Sequence, residues 1–146
     1  MGFYILKKTV LIAGVSFCAA AVLAAPRSLA VIAGDNFPLP SLSLDDVAKI
    51  YKGERLFLKG TRLSPLDNKE TGLRSRFFQE ALGMSTDDYS VQWITRNFQD
   101  GLKIPEAVGT PEVFERIKDK GVLGFVYADD AKGKPGVHTL LTIDAP

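Results

Sequence analysis

The run Val122–Tyr127, VLGFVY, constrains the fold more than any other stretch of this chain. It shows no alternation of apolar and polar residues, so neither face of a strand built from it tolerates water. Such a strand belongs inside a sheet covered on both sides, and the segments around it provide the covers. Upstream, Thr110-Pro111 reads as a helix cap followed by proline at the first helical position. Val113, Phe114 and Ile117 form that helix's core side, and Lys118 and Lys120 suit its C-terminal end. Gly121 is the stop. Downstream, Ala128–Lys132 reads as a turn or helical turn, and Gly133-Lys134-Pro135-Gly136 as a turn. Val137–Ile143 alternates, with Val137, Thr139, Leu141 and Ile143 on one side, and predicts a final strand.

The earlier part of the chain supplies the remaining layers. Ala30–Ala33 (AVIA) is a β-branched run ended by Gly34-Asp35-Asn36, which predicts an opening buried strand. After the extended Pro38 and Pro40 connector comes Ser41–Glu54, SLSLDDVAKIYKGE. Ser43 and Asp46 are spaced as a capping box, Asp45 and Asp46 complement the helix dipole, and Gly53 is a left-handed stop. Leu44, Val47, Ala48 and Tyr51 share one face. Arg55–Leu66 predicts an irregular extended segment ending in a strand, and Asp67–Gly72 a polar turn. Thr71 then caps a helix with Leu73, Phe77 and Ala81 on its face and Gly83 at its end. Ser85 and Asp88 open another helix, with Val91, Ile94 and Phe98 as its apolar face, Trp93 beside them and Gly101 as its close. The resulting order, β-α-β-α-α-α-β-β, predicts a small α/β sandwich with a mixed β-sheet flanked by helices.

Residues 1–25 have the layout of a Sec-type signal peptide: Lys7 and Lys8, the small apolar run Thr9–Ala21, then Ala24 and Ala25. Cleavage is expected after Ala24 or Ala25, with Ala30 as an alternative site. The other reading is an uncleaved anchor, since the apolar stretch of about 17 residues sits at the lower limit for crossing a bilayer. Cys18 is the only cysteine. Phe17 stands before it, where lipidation needs a small residue. Residues 26–146 are therefore expected to form one exported domain without disulfide or thiol chemistry. The chain carries 18 Lys+Arg and 17 Asp+Glu. Without Lys7 and Lys8 the balance is 16 to 17, so no strong field draws nucleic acid or anionic lipid. The single histidine, His138, excludes a multi-histidine metal site and, with no thiol in the exported part, leaves no credible catalytic triad. Asp129-Asp130 has no third ligand nearby and reads as a solvated turn. No glycine-rich nucleotide loop appears. No catalytic residue, metal site or cofactor is expected, and the chain reads as a non-enzyme.

Four stretches carry a family resemblance: AVIAGDNFP, SLSLDDVAKIYKGE, LSPLDNKETGLRSRFFQEALG and GVLGFVYADDA. In their order and spacing they resemble the second lobe of the phosphate-type substrate-binding proteins of bacterial ABC importers. More closely, the chain resembles short, single-lobe bacterial proteins of that kind. The resemblance implies one lobe of a periplasmic-binding-protein type II-like fold, a periplasmic location, and phosphate or another small oxyanion as ligand. It also implies an envelope protein or ABC permease as partner. Ligand-binding residues implied by the match are Thr71 for a hydroxyl, Gly72 for close backbone approach and Arg74 for charge, at a helix start whose free N–H groups attract anions. The chain departs from the family's Arg-Ser-Asp-Gly-Ser-Gly-Thr-like loop. Here the loop is Asp67–Gly72, without the arginine and first serine and with Glu70 beside the site. Two functions are expected on these grounds: weak or partner-assisted oxyanion binding, and a protein-interaction scaffold that keeps the fold without ligand transport.

Overall fold

The computed structural model describes residues 26–145, so the signal peptide read over residues 1–25 lies outside the described residues. Its centre is a four-stranded sheet in the order β4 (Ser64–Pro65), β7 (Val122–Tyr127), β1 (Leu29–Ala33), β8 (His138–Ile143). β4 runs parallel to β7, while β1 is antiparallel to both β7 and β8. β4 continues into β5 (Asp67–Asn68), which pairs in parallel with β6 (Ala107–Val108). A short hairpin of β2 (Phe57–Leu58) and β3 (Thr61–Arg62) fills the segment read as irregular. The mixed sheet flanked by helices is thus as expected.

The apolar run of β7 is buried as its composition requires, and the sheet has a core on each face. Leu29, Val31 and Ala33 of β1 join Leu123 and Phe125 of β7 under α1 (Leu44–Tyr51), α2 (Thr71–Phe77) and α3 (Thr86–Asp100). Ala30 and Ile32 join Val122 and Val126 under α4 (Thr110–Arg116), against Val113 and Ile117. This period-two division places successive side chains in opposite layers. Gly124 lets α4 settle on the sheet, because a Cβ there would lie 2.6 Å from Val113 Cγ1. The larger layer is aromatic. Phe77 stacks on Phe125 at 3.9 Å, Tyr51 meets Phe77 edge-on, and Phe78 stacks on Tyr89 at 4.0 Å. Such pairs add specific geometry to area burial. The Tyr51 hydroxyl donates to the Leu66 carbonyl at 2.9 Å, which ties α1 to the end of β4.

The capping box of α1 forms in full: the Ser43 hydroxyl accepts from Asp46 N, and the Asp46 carboxylate accepts from Ser43 N. At α3 only half of such a box forms: the Ser85 hydroxyl accepts from Asp88 N. Gly83 and Gly101 take left-handed conformations after their helices. Between α2 and Gly83 the helix widens into a π-helical turn, Phe78–Leu82. A short α5 (Ala128–Ala131) comes directly after β7.

Three local expectations are corrected. Helix α3 turns the opposite face to the core: Tyr89 and Trp93 are buried, whereas Val91, Ile94 and Phe98 are 63, 61 and 89% exposed. The aromatic pair decides the rotation, since Tyr89 stacks on Phe78 and the Trp93 indole N–H donates to the Tyr51 carbonyl at 2.9 Å. In β8 the simple alternation breaks. The register shifts between Val31 and Ile32, and Leu140, not its neighbours, is the buried residue. A bulge adds one residue and turns the side chains beyond it to the other face. Finally, Thr71 and Thr110 are not caps. Glu70 and Gly109 occupy the cap positions, and each threonine is the first helical residue.

Candidate functional site

The parallel strands end at one edge of the sheet. β5 leads into α2, β6 into α4 and β7 into α5, so three helix starts gather there. In open α/β sheets, ligands bind beyond the carboxyl ends of the strands.

Asn68 organises this edge. It is fully buried, and its amide donates to Thr110 Oγ1 and to the Phe125 carbonyl, both at 3.1 Å. Its Oδ1 accepts from Glu70 N at 3.0 Å. One side chain therefore fixes the end of β5 to β7 and to the start of α4. It also turns the chain into α2 one residue earlier than a Thr71 cap would. Asp67 beside it is buried and accepts from Asn68 N at 2.7 Å. Arg74 reaches back from α2 and donates Nε to both carboxylate oxygens, at 3.0 and 2.8 Å, with its guanidinium over the Phe78 ring. Burial pushes the Asp67 carboxyl above the usual carboxylate range, against the opposing pull of Arg74 and of the Asn68 N–H.

Of the implied ligand residues, Thr71 and Gly72 stand exposed at the start of α2. A Cβ on Gly72 would meet only the Tyr127 hydroxyl, at 3.8 Å. The first bond into the helix is Arg74 N to Glu70 O at 2.8 Å, so the N–H groups of Thr71, Gly72 and Leu73 precede it. Arg74 lies in the same turn, but its charge is matched to Asp67. The arrangement offers an exposed hydroxyl and backbone donors with little net charge, and it brings no nucleophile and general base together. Asp67 and Asn68 read from sequence as polar turn residues. Only the acid seven positions before Arg74 hinted at a pair.

The other titratable candidates have local partners. Asp129 and Asp130 face Arg27, at 3.7 and 3.2 Å. His138 contacts Asp35 at the surface. Among the described residues no group of three or more His, Cys, Asp or Glu side chains is arranged to hold a metal ion. No described helix is long and apolar enough to cross a membrane.

No protein-family model and no curated protein matches the sequence. Among solved structures, the chain is similar to a Clostridium perfringens protein assigned as a phosphate ABC transporter substrate-binding protein, with bound phosphate. The identity is 15% and the TM-score 0.61, over 80% of this chain and 45% of that one. It is also similar to an ABC-type phosphate transport receptor from Vibrio cholerae, at 15% identity and TM-score 0.59, over 80% of this chain and 46% of the receptor. At this identity the likeness defines the fold: a mixed α/β sheet of the periplasmic-binding-protein type. The chain spans less than half the length of these proteins, and its extent corresponds to a single lobe.

Proposed function

We propose that this chain is an exported solute-binding lobe that takes a small oxyanion, phosphate first, at the start of α2, weakly or with a partner's help. The observation that carries this reading is the pair of exposed residues Thr71 and Gly72, whose N–H groups precede the first helical bond beside the Thr71 hydroxyl, at the carboxyl edge of the parallel strands. The fold shared with two phosphate-transport proteins supports it. Weakness is expected from charge and exposure. Asp67 matches Arg74, Glu70 stands at the cap position, and exposed ionic bonds are damped by water. Isothermal titration with phosphate and sulfate tests the reading. Saturable heat that disappears in Gly72→Val is the expected result, because a side chain there fills the approach to the N–H row without a clash inside the fold. No heat at millimolar phosphate would sink the proposal.

A second reading, an interaction module docking on an envelope protein or ABC permease, is favoured by the exposed Val91, Ile94 and Phe98 of α3. A photo-crosslinker at position 98 tests it in cells. A discrete adduct lost on Val91→Asp would support docking, and no adduct in the expressing strain would remove the reading.

A further inference from the structure

A further hollow lies at the opposite end of the strands from Thr71. A cleft of about 210 Å³ opens at the amino ends of β4 and β6, between the β3–β4 segment, the end of α3 and the loop before β6. Its floor is apolar: Ile50, Leu63, Leu66 and Trp93 line it and are each no more than 5% exposed. Leu102 and Ile104 form one wall. Its rim is charged and one-sided, with Arg55, Arg62, Lys103 and Arg116 against a single carboxylate, Glu106.

The four cations are not equivalent. Arg55 is held by Asp46, and Arg116 by Glu106 at 3.1 Å and Glu112 at 3.6 Å. Arg62 lies over the Phe57 ring, and neither it nor Lys103 has a carboxylate within ion-pair distance among the described residues. Glu106 does not cancel this surplus, because Arg116 already claims it. Its carboxyl is held below the usual range by Arg116 first, with Lys103 contributing.

Size limits what fits. A cavity of about 150 Å³ lined by apolar side chains accepts benzene. The cleft here exceeds that by room for a short polar group, and charged side chains line it together with the apolar ones. We propose that this cleft binds a compact monocarboxylate with a single aromatic or branched apolar body. The ring would lie on Trp93 and the leucine floor, and the carboxylate would reach Arg62 and Lys103. Convergent polar groups around an apolar pocket are the ordinary form of small-molecule sites. The site is separate from the α2 edge and does not depend on the phosphate reading.

Trp93 is the only tryptophan and lines the cleft, so its fluorescence reports binding directly. The purified protein would be titrated with phenylacetate, with 2-phenylethanol as neutral isostere and with acetate. Expected is a saturable change in emission with phenylacetate, at least threefold weaker with 2-phenylethanol and missing with acetate at equal concentration. Arg62→Gln and Lys103→Gln, both surface changes, should each weaken phenylacetate about threefold, as for an exposed ion pair. Circular dichroism would check that these variants stay folded. Gly72→Val, at the α2 edge, should leave the affinity unchanged. A linear, unsaturable response overturns the proposal. So does equal binding of the neutral isostere, or phenylacetate affinity untouched in the folded double variant. Loss of phenylacetate binding in Gly72→Val, a change confined to the α2 edge, would place the ligand there instead and refute the separate site.

Discussion

Replacing Arg74 by alanine should destabilise the protein in a way that depends on pH. The Asp67 side chain is only 4% exposed, and Arg74 is 24% exposed. Removing the guanidinium leaves a buried carboxylate with one remaining donor, Asn68 N. Breaking a buried pair from one side costs about 3–5 kcal/mol. Water can enter from the Arg74 side, which places this case near the lower figure, about 3 kcal/mol at pH 7. For a domain of this size that lowers Tm by roughly 10 °C. The folded Asp67 carboxyl titrates above its unfolded value, so burial already makes the charged form unfavourable. Stability from this group is greatest at low pH and falls as pH rises from the unfolded value to the raised folded one. Without Arg74 the folded value rises further, so the loss is largest at neutral pH. Below the raised value the acid is neutral, and the cost should shrink to about 1 kcal/mol, that of an imperfectly bonded polar group. Urea denaturation of wild type, Arg74→Ala and the double variant Asp67→Asn with Arg74→Gln, at pH 7 and pH 4, measures this. The double variant should recover at least half of the pH 7 loss. A cost under about 1 kcal/mol at pH 7, or one identical at the two pH values, would refute the account.

Gly121 has φ +80° and a Cβ there would lie 2.1 Å from the Arg62 carbonyl, so Gly121→Ala should fail to accumulate folded protein. Gly83, with φ +63° and no neighbour within 4 Å, should lose only about 1 kcal/mol on the same change, as equilibrium unfolding would show. Trp93→Ala should cost about 3–5 kcal/mol, whereas Phe98→Ser should stay within about 0.5 kcal/mol, reversing what hydrophobicity alone ranks; thermal melts decide between them. Asp46 is held below the usual carboxylate range by the Ser43 backbone N–H, then the Ser43 hydroxyl and Arg55. Its contribution is present above the unfolded value and lost as pH falls through the lowered one. Ser43→Ala should therefore cost about 1 kcal/mol at pH 7 and less in acid, measured by urea titration.

Local chemistry made much of the fold legible. Ser43, Ser85, Gly83 and Gly101 act within a few residues of their own position, and each does what its type predicts. The six apolar residues of β7 demanded two covers and received them. Long-range choices were not legible. Helix α3 carries two apolar stripes, and which turns inward depends on Phe78 and Tyr51, both outside the helix and the latter 42 residues from Trp93. The site divides in the same way. Thr71 and Gly72 could be placed at a helix start, but the pairing of Arg74 with Asp67 and the role of Asn68 arise only when β5 meets β7 and α4.

The central position of β1 bears on when this protein can fold. Its ladder to β7 reaches Leu123 from Ala33, 90 residues away, and its ladder to β8 reaches Ile143 from Leu29, 114 residues away. Pairings of that span are slow to close, because a long loop must be ordered before any contact repays it. A nascent chain that has not yet produced Val122 offers β1 no neighbour on either side. The central sheet can assemble only after the ribosome has passed β7, so everything between Ala33 and Val122 is made before β1 has a partner strand.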